Sequence, residues 1–579
     1  MTRPLEPRPR NQAAVTAFDW KVRPTATPGR AVPSLAAQLG VSPLLVRLLQ
    51  QRGLDGLQAM DMFLSPGLRH LPPLSAWHGL EEAADCLAAE FARGRRLVIW
   101  GDYDVDGLTS SALLIDFFAS RGIEVDCHIP DRLEEGYGLN RTGVERLAAA
   151  GAQVLLTVDC GISSHQEVAR ARELGMTVVV TDHHLPPEEL PPAQAVVNPR
   201  IGGCPSPDLA GVGVAFLLAA ALNSRLPGEA VDIRRHLDLV ALGTVADVVR
   251  LTHINRILVK NGLLLLTEAK RPGIFALKEA SGLPASAPMG SGSVAFSLAP
   301  RINAAGRLGN PRLALDLLLA REHTQARGLA KELDALNAAR RKQEEGILVA
   351  ALEQAREQEH RAGLVLYDPD WHQGVIGIVA SRVVEAFNRP VLILCRDKDG
   401  LKGSGRSIPA FDLFAGLTEC APLLSGFGGH PQAAGLRLEE GALDDLRLEF
   451  DRVVTSRLGE TPPRPCLTLD AELGFADIDH CLLKELELLQ PFGLGNPKPL
   501  FASPPVHVTT RRVFKGKHVS LALKEPGSNI TLWGKAWRQA KTLGPSIQGK
   551  TARFAYTPRL NHYNGLTSID LDIKDWKEE

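Results

Sequence analysis

The 8 cysteines of this 579-residue sequence include no Cys-x-x-Cys pair, which argues against a zinc knuckle and a disulfide scaffold and for a reducing compartment. Long apolar runs are also missing. The strongest, Val212 to Leu222, falls well short of the roughly 20 residues needed to cross a bilayer. The first 20 residues hold Arg3, Arg8 and Arg10 among prolines and no apolar signal core, so the expected location is cytoplasmic, with no membrane partner. Excess charge of either sign is lacking too, 65 Lys and Arg standing against 66 Asp and Glu. Any polyanion must therefore be held by a local patch and not by overall attraction. With hydrophobic residues at 45%, wholesale disorder is excluded, and the length suggests about three to four domains.

Residues 1 to 45, rich in Pro, Arg and Ala, read as a loosely packed arm. Apolar runs then alternate in type. The spacing predicts helices over 81–91, 109–120 and 164–174 around strands at 96–100, 153–158 and 176–181, an α/β pattern with a parallel sheet. No proline interrupts Leu313 to Arg361, so this stretch reads as one connecting helix of about 45 residues, on the order of 70 Å, the alternative being two or three packed helices with breaks at Gly328 and Gly346. A second α/β pattern follows to about residue 458. After a Pro-rich linker at 461–465, five short β-type runs suit a small barrel. Residues 507 to 579 carry 13 Lys and Arg against 6 Asp and Glu, interleaved with Phe514, Trp533, Trp537, Phe554, Tyr556 and Tyr563. Cations for phosphates and aromatic faces for bases are what single-stranded nucleic acid requires.

The chemistry concentrates at strand ends. Gly101-Asp102-Tyr103-Asp104-Val105-Asp106-Gly107 packs three carboxylates into a strand-to-helix turn, too much charge to leave without a cation. Oxygen ligands favour magnesium, manganese or calcium. An EF-hand begins alike but needs an acid at its twelfth position, which here is Leu113. The next two strands end at Asp159 and at Asp182-His183-His184. In an open parallel sheet the carboxyl ends of neighbouring strands meet in one crevice. Asp247 lies in an apolar stretch where an unpaired carboxylate would be costly. Four or five carboxylates with imidazole can hold two divalent ions for displacement at phosphorus, so phosphodiester hydrolysis is the predicted reaction class. Three glycine- and small-residue segments add candidate phosphate contacts: 300–307 with Arg301 and Arg307, 402–407 with Ser404 and Arg406, and the Gly-Gly-His loop with His430. Arg132 is a weaker candidate.

The ordered set Asp-Tyr-Asp-Val-Asp-Gly, Val-Asp-Cys-Gly, Asp-His-His and Gly-Gly-His resembles the DHH phosphoesterase superfamily. With the 300–307 segment and the basic C-terminus, it is similar to the branch of single-strand-specific 5′→3′ DNA exonucleases. The resemblance implies a DHH catalytic domain (46–310), the connecting helix (311–362), a DHH-associated domain (363–460) and an oligonucleotide-binding (OB) barrel (466–579). It places two divalent metals, manganese or magnesium, on Asp104, Asp106, Asp159, His183 and Asp247, with Asp182 and His184 orienting ligands or touching phosphate. It implies a pocket for the 5′-terminal phosphate at Arg132, Ser404 and Arg406, a phosphate contact at His430 and backbone-holding roles for Arg301 and Arg307. The pyrophosphatase branch has a histidine ligand where this chain has Trp100, and Asp102 is the candidate replacement. The implied setting is recombination and repair, as a monomer acting on single-stranded DNA with a single-strand binding protein and a RecQ-type helicase. Alternatives are an oligonucleotide or cyclic-dinucleotide phosphoesterase, which would not need the basic third domain, and a non-catalytic strand-binding scaffold, which should have lost the acids.

Overall fold

In the computed structural model, residues 18–24, 31–132, 135–398, 400–459, 463–528, 530–563 and 566–579 are described. The linker residues 461 and 462 and most of the N-terminal arm therefore lie outside the described residues. The chain divides into two compact units, Thr25–Ala338 with His480–Pro499, and Met1–Pro24 with Ala339–Asp479 and Leu500–Glu579.

The first unit is built on a five-stranded, all-parallel sheet in the order Asp126–His128, Leu97–Trp100, Val154–Val158, Thr177–Thr181, Ala195–Val197. Its three central strands are buried along their whole length, as sheets covered on both faces require, and they read as runs of Leu, Val and Ile. Helices Leu80–Ala92, Val105–Ser120 and Gly211–Asn223 cover one face. Leaving Leu97–Trp100, the chain goes first to one neighbour and then crosses back to the other, so the order reverses between Leu97–Trp100 and Val154–Val158. Such a reversal opens a crevice at the carboxyl ends of the two strands.

Helix Leu237–Ala246 packs on Val105–Ser120 through Gly243, where a Cβ would lie 2.3 Å from Thr109 Oγ1. This close approach brings the end of that helix, and Asp247 with it, over the crevice.

The connecting helix is shorter than the sequence predicts: it runs His323–Glu357, 35 residues, about 52 Å. Arg312–Leu319 is a separate helix, ended by the extended backbone of Ala320 (ψ 132°). Gly328 and Gly346 do not break the long helix.

In the second unit, a five-stranded sheet runs Gly426–His430, Ala433–Leu438, Gly400–Arg406, Val391–Asp397, Leu364–Tyr367, parallel only between the last two. The Gly-Gly-His segment, expected as a loop, thus forms two strands, and the small-residue segment before it a third. Glycine serves packing here: at Gly403 a Cβ would fall 2.4 Å from Leu394 Cδ2.

The C-terminal strands close into a ring. Val506–Phe514 pairs with His518–Lys524, that with Thr531–Ala536, that in parallel with Leu566–Glu578, and Leu566–Glu578 with Thr551–Tyr563, which returns to Val506–Phe514. Phe554 and Tyr556 are fully buried in this barrel, so the sequence reading of them as base platforms is corrected. The Tyr563 side chain lies outside the described residues. The expected loose arm contains a strand, Asp19–Val22, paired in parallel with Cys466–Leu469, and helices Ala31–Leu39 and Pro43–Gln50. Among the described residues no single helix is long and apolar enough to cross a membrane.

Candidate active site

The carboxylates gather at the reversal point. Asp104 caps helix Val105–Ser120, its Oδ1 accepting from the Asp106 and Gly107 amides at 2.9 and 3.1 Å, which points the turn over the strand end. Gly107 is required, since a Cβ there would sit 2.6 Å from the Asp102 amide nitrogen. Asp106 turns inward and accepts from the Gly211 and Val212 amides at 2.7 and 2.9 Å. Amides at the N-terminus of the buried helix Gly211–Asn223 thus hold the Asp106 carboxyl in place, and their dipoles partly offset the cost of its charge.

Asp159 has φ 62°, a left-handed conformation that is uncommon for a non-glycine residue and concentrates at functional sites. It brings Oδ1 to 3.1 Å from His183 Nε2. The same nitrogen lies 3.6 Å from Asp247 Oδ2 and 3.8 Å from Asp106 Oδ2.

Three overlapping groups place ligand atoms within 4.8 Å of one another: Asp102, Asp104 and Asp159; Asp106, His183 and Asp247; Asp159, His183 and His184. Three buried polar atoms in this cluster, Asp102 Oδ1, Asp159 Oδ1 and His183 Nε2, make no hydrogen bond. Burial and, second, His184 hold the His183 imidazole down at about 3, so it is neutral and its lone pair is available. An oxygen-rich set with one neutral imidazole suits magnesium or manganese.

Asp182 plays a different part. It accepts from the Ile162, His183 and His184 amides and from His184 Nδ1 at 2.7 Å, which leaves it no place among the ligands and makes it the group that anchors the His183–His184 backbone and orients the His184 ring. Burial opposes charge on His184, but the bond to Asp182 outweighs it and raises the ring to about 9. His184 is therefore cationic at neutral pH.

Trp100 is fully buried against the His128 ring at 4.4 Å and against Gly143, where a Cβ would meet the indole at 2.4 Å. The indole therefore packs into the core and supplies no ligand, while Asp102 stands among the clustered acids.

Burial first, and neighbouring carboxylates second, push Asp106 up to about 7 and Asp102, Asp159 and Asp247 well above the usual range. Without metal, the native state holds protons there that the unfolded chain releases above about pH 4. Metal-free stability at this site is therefore full below about pH 4 and is lost as pH rises toward about 7. A bound cation expels those protons. The gain in melting temperature on adding Mn²⁺ should accordingly grow between about pH 6 and pH 8, with proton release in calorimetry; a gain independent of pH would contradict the electrostatics described.

In the second unit, Ser404 and Arg406 alternate on one face of strand Gly400–Arg406, beside the start of helix Ile376–Phe387. A Cβ at Gly377 would lie 2.9 Å from Ser404 Oγ and 3.2 Å from Arg406 Nη2. Ala433 pairs with both Arg406 and His430, so His430 occupies the same rung and face two strands away. A guanidinium, a hydroxyl and a helix start lie side by side there, the kinds of group that bind phosphate.

Three regions of the chain match family models: the DHH family N-terminal domain over residues 96–244, the DHHA1 domain over 360–456 and the RecJ OB domain over 469–575. The chain is 40% identical over 554 residues to the single-stranded-DNA-specific exonuclease RecJ of Dickeya dadantii (strain 3937), covering 92% of this chain and 95% of that protein. The chain belongs to the RecJ family. The RecJ of Escherichia coli (strain K12) is 38% identical over the same shares. The crystal structure of RecJ in complex with Mn²⁺ from Thermus thermophilus superposes with a TM-score of 0.83 at 34% identity, covering 97% of this chain and 80% of that one.

Within this RecJ fold several residues escaped the sequence reading. Tyr137 Oη lies 3.3 Å from both His184 ring nitrogens, and its ring meets Tyr103 edge-on at 6.5 Å. Arg132, in turn, sits over the Tyr103 ring at 5.3 Å. The signal was present in Gly136-Tyr137-Gly138, where both glycines have positive φ. Arg200 donates to the His183 carbonyl at 2.9 Å and had no motif to mark it.

Arg301 departs from expectation. It is buried, pairs with Asp334 at 2.9 Å and donates to the Ser297 and Ala280 carbonyls, so it staples helix Ala299–Leu308 instead of gripping a strand. That helix, read from the sequence only as a small-residue segment, brings Gly306 to within 2.6 Å, by its would-be Cβ, of the Tyr103 carbonyl. Arg307 is thereby placed at the carboxylate turn.

Proposed function

We propose that this chain is a metal-dependent exonuclease that hydrolyses single-stranded DNA from the 5′ end to 5′-mononucleotides, in recombination and repair. The observation that carries this reading is the cluster of Asp102, Asp104, Asp106, Asp159, His183 and Asp247, with buried polar atoms that lack partners, in a member of the RecJ family.

These residues would hold two divalent ions, manganese or magnesium. Bound there, the ions would supply a hydroxide at neutral pH and stabilise charge on the leaving oxygen. The chain's own groups do the rest. Asp182 anchors the His183–His184 backbone and fixes the His184 ring, and the cationic His184 faces the charge that accumulates on a phosphate. Tyr137 limits the freedom of the His184 ring. Arg132 and Arg307 flank Tyr103, where they neutralise phosphates arriving at the turn. Arg406, Ser404 and His430 form the second phosphate position, which we assign to the 5′-terminal phosphate.

On the barrel, Trp533 and Trp537 are 37% and 46% exposed, and Arg512 lies over Trp533 at 5.4 Å. We assign strand binding to this face. Trp533→Ala should weaken binding of a chelated single strand about tenfold while leaving turnover of very short substrates unchanged, read by anisotropy and by rate; unchanged affinity would move strand binding elsewhere. We also place the protein in the cytoplasm, as a monomer working with a single-strand binding protein and a RecQ-type helicase.

The test of the main reading uses strands of about 30 nucleotides, single-stranded or blunt duplex, labelled at 5′ or 3′, with Mn²⁺ or chelator. Metal-dependent release of mononucleotides from the 5′ end of the single strand is expected. Release from the 3′ end, or equal attack on duplex, would overturn it.

A further inference from the structure

The most exposed large apolar side chain among the described residues is Phe296, at 77%. It sits in a π-helical turn, Val294–Leu298, between helices Ser291–Ser293 and Ala299–Leu308. The cause is in the sequence. Pro300 has no N–H to give to the Phe296 carbonyl, and its ring would crowd that oxygen in an α-helix, so the turn widens.

The far end of this rod abuts the carboxylate turn through Gly306, ten residues and about 15 Å away. Its near end is tied to the segment His480–Pro499, Ser291 Oγ donating to the Phe492 carbonyl. That segment in turn accepts from the Leu251 amide on the Leu494 carbonyl at 2.8 Å. Leu251 closes the turn that follows Asp247, in which Val248 holds φ 61° and is 65% exposed, while Leu494 is 54% exposed. Three exposed large apolar side chains, Phe296, Leu494 and Val248, thus sit on segments joined by these hydrogen bonds, a rim whose last member directly follows a candidate metal ligand. Arg250 accompanies them, its side chain 54% exposed and only 3.6 Å from its partner Asp208. Apolar faces with a cation, continuous with a phosphodiester-cleaving centre, suit unstacked bases and their phosphates.

We propose that this rim receives the bases of the incoming single strand, with Phe296 as the stacking platform. The proposal rests on the exonuclease reading above and adds a positioning residue to it. Phe296→Ala is expected to raise KM on a single strand about tenfold with kcat within about twofold, and Phe296→Trp to restore it. A strand carrying abasic sites along its first ten or so positions should show a similar rise with the wild type, and Phe296→Ala should add nothing on that strand. A merely structural role would not distinguish the two substrates. Unchanged KM in Phe296→Ala, or a full additional loss on the abasic strand, would overturn the proposal. If the wild type itself left single strands intact, the exonuclease reading would fail instead.

Discussion

Asp159→Asn is expected to lower turnover at least about 10³-fold while raising the melting temperature of the metal-free protein. Asp159 belongs to two of the three ligand groups, is 2% exposed, and its Oδ1 lies 3.1 Å from His183 Nε2. The amide keeps the shape and removes the charge, so the loss falls on charge stabilisation, worth several kcal/mol at a divalent centre, and each 1.4 kcal/mol is about tenfold. The same charge is a burden without metal. Burial and Asp106 raise the Asp159 carboxyl well above its ordinary value, so removing it relieves repulsion and stabilises the apo fold, a trade of stability for activity. Rate measured with saturating Mn²⁺ and melting measured with chelator read the two effects separately. Wild-type turnover would remove Asp159 from the centre; a lower apo melting temperature would contradict the repulsion argument.

Arg406→Ala is expected to cut kcat/KM on 5′-phosphorylated strands by about 10- to 100-fold and to leave 5′-hydroxyl strands nearly unaffected. Charge-assisted bonds from a guanidinium to phosphate are worth about 1.5–3 kcal/mol each. Arg406 is positioned for this by its own bonds to Ser404 Oγ at 3.1 Å and the Gly405 carbonyl at 2.7 Å, and Gly377 leaves the helix start open beside it. Ser404→Ala should act in the same direction more weakly. Equal losses on both 5′ ends would show that Arg406 supports the sheet and does not read the terminus.

Much of the site was legible because its residues come in short, ordered clusters. Asp102 to Asp106 and Asp182 to His184 are each one strand-to-helix or strand-to-loop turn, and the alternation of strands and helices predicts which turns share an edge of the sheet. What hydropathy could not show was how small residues are used. The 400–406 and 426–438 segments are glycine-rich either as loops or as strands packed tightly against leucines, and only the neighbours distinguish the two. Arg301 and Arg307 lie six residues apart in one motif, yet one is buried against Asp334 and the other reaches the carboxylate turn; the face each presents follows from the packing of helix Ala299–Leu308. Phe554 and Trp533 share a composition argument, but the inward and outward alternation of a closed barrel separates them.

By itself, then, the sequence determined the reaction chemistry: which acids and imidazoles exist, that Asp102 to Asp106, Asp159 and Asp182 to His184 follow strands, and that Pro300 cannot donate to a helix ladder wherever it lies. The tertiary structure alone decided which of these groups share a cation's reach. Convergence of Asp106, Asp159, His183 and Asp247 depends on a sheet order that reverses between two strands and on a helix packed through Gly243, contacts between residues far apart in the chain that no local pattern encodes.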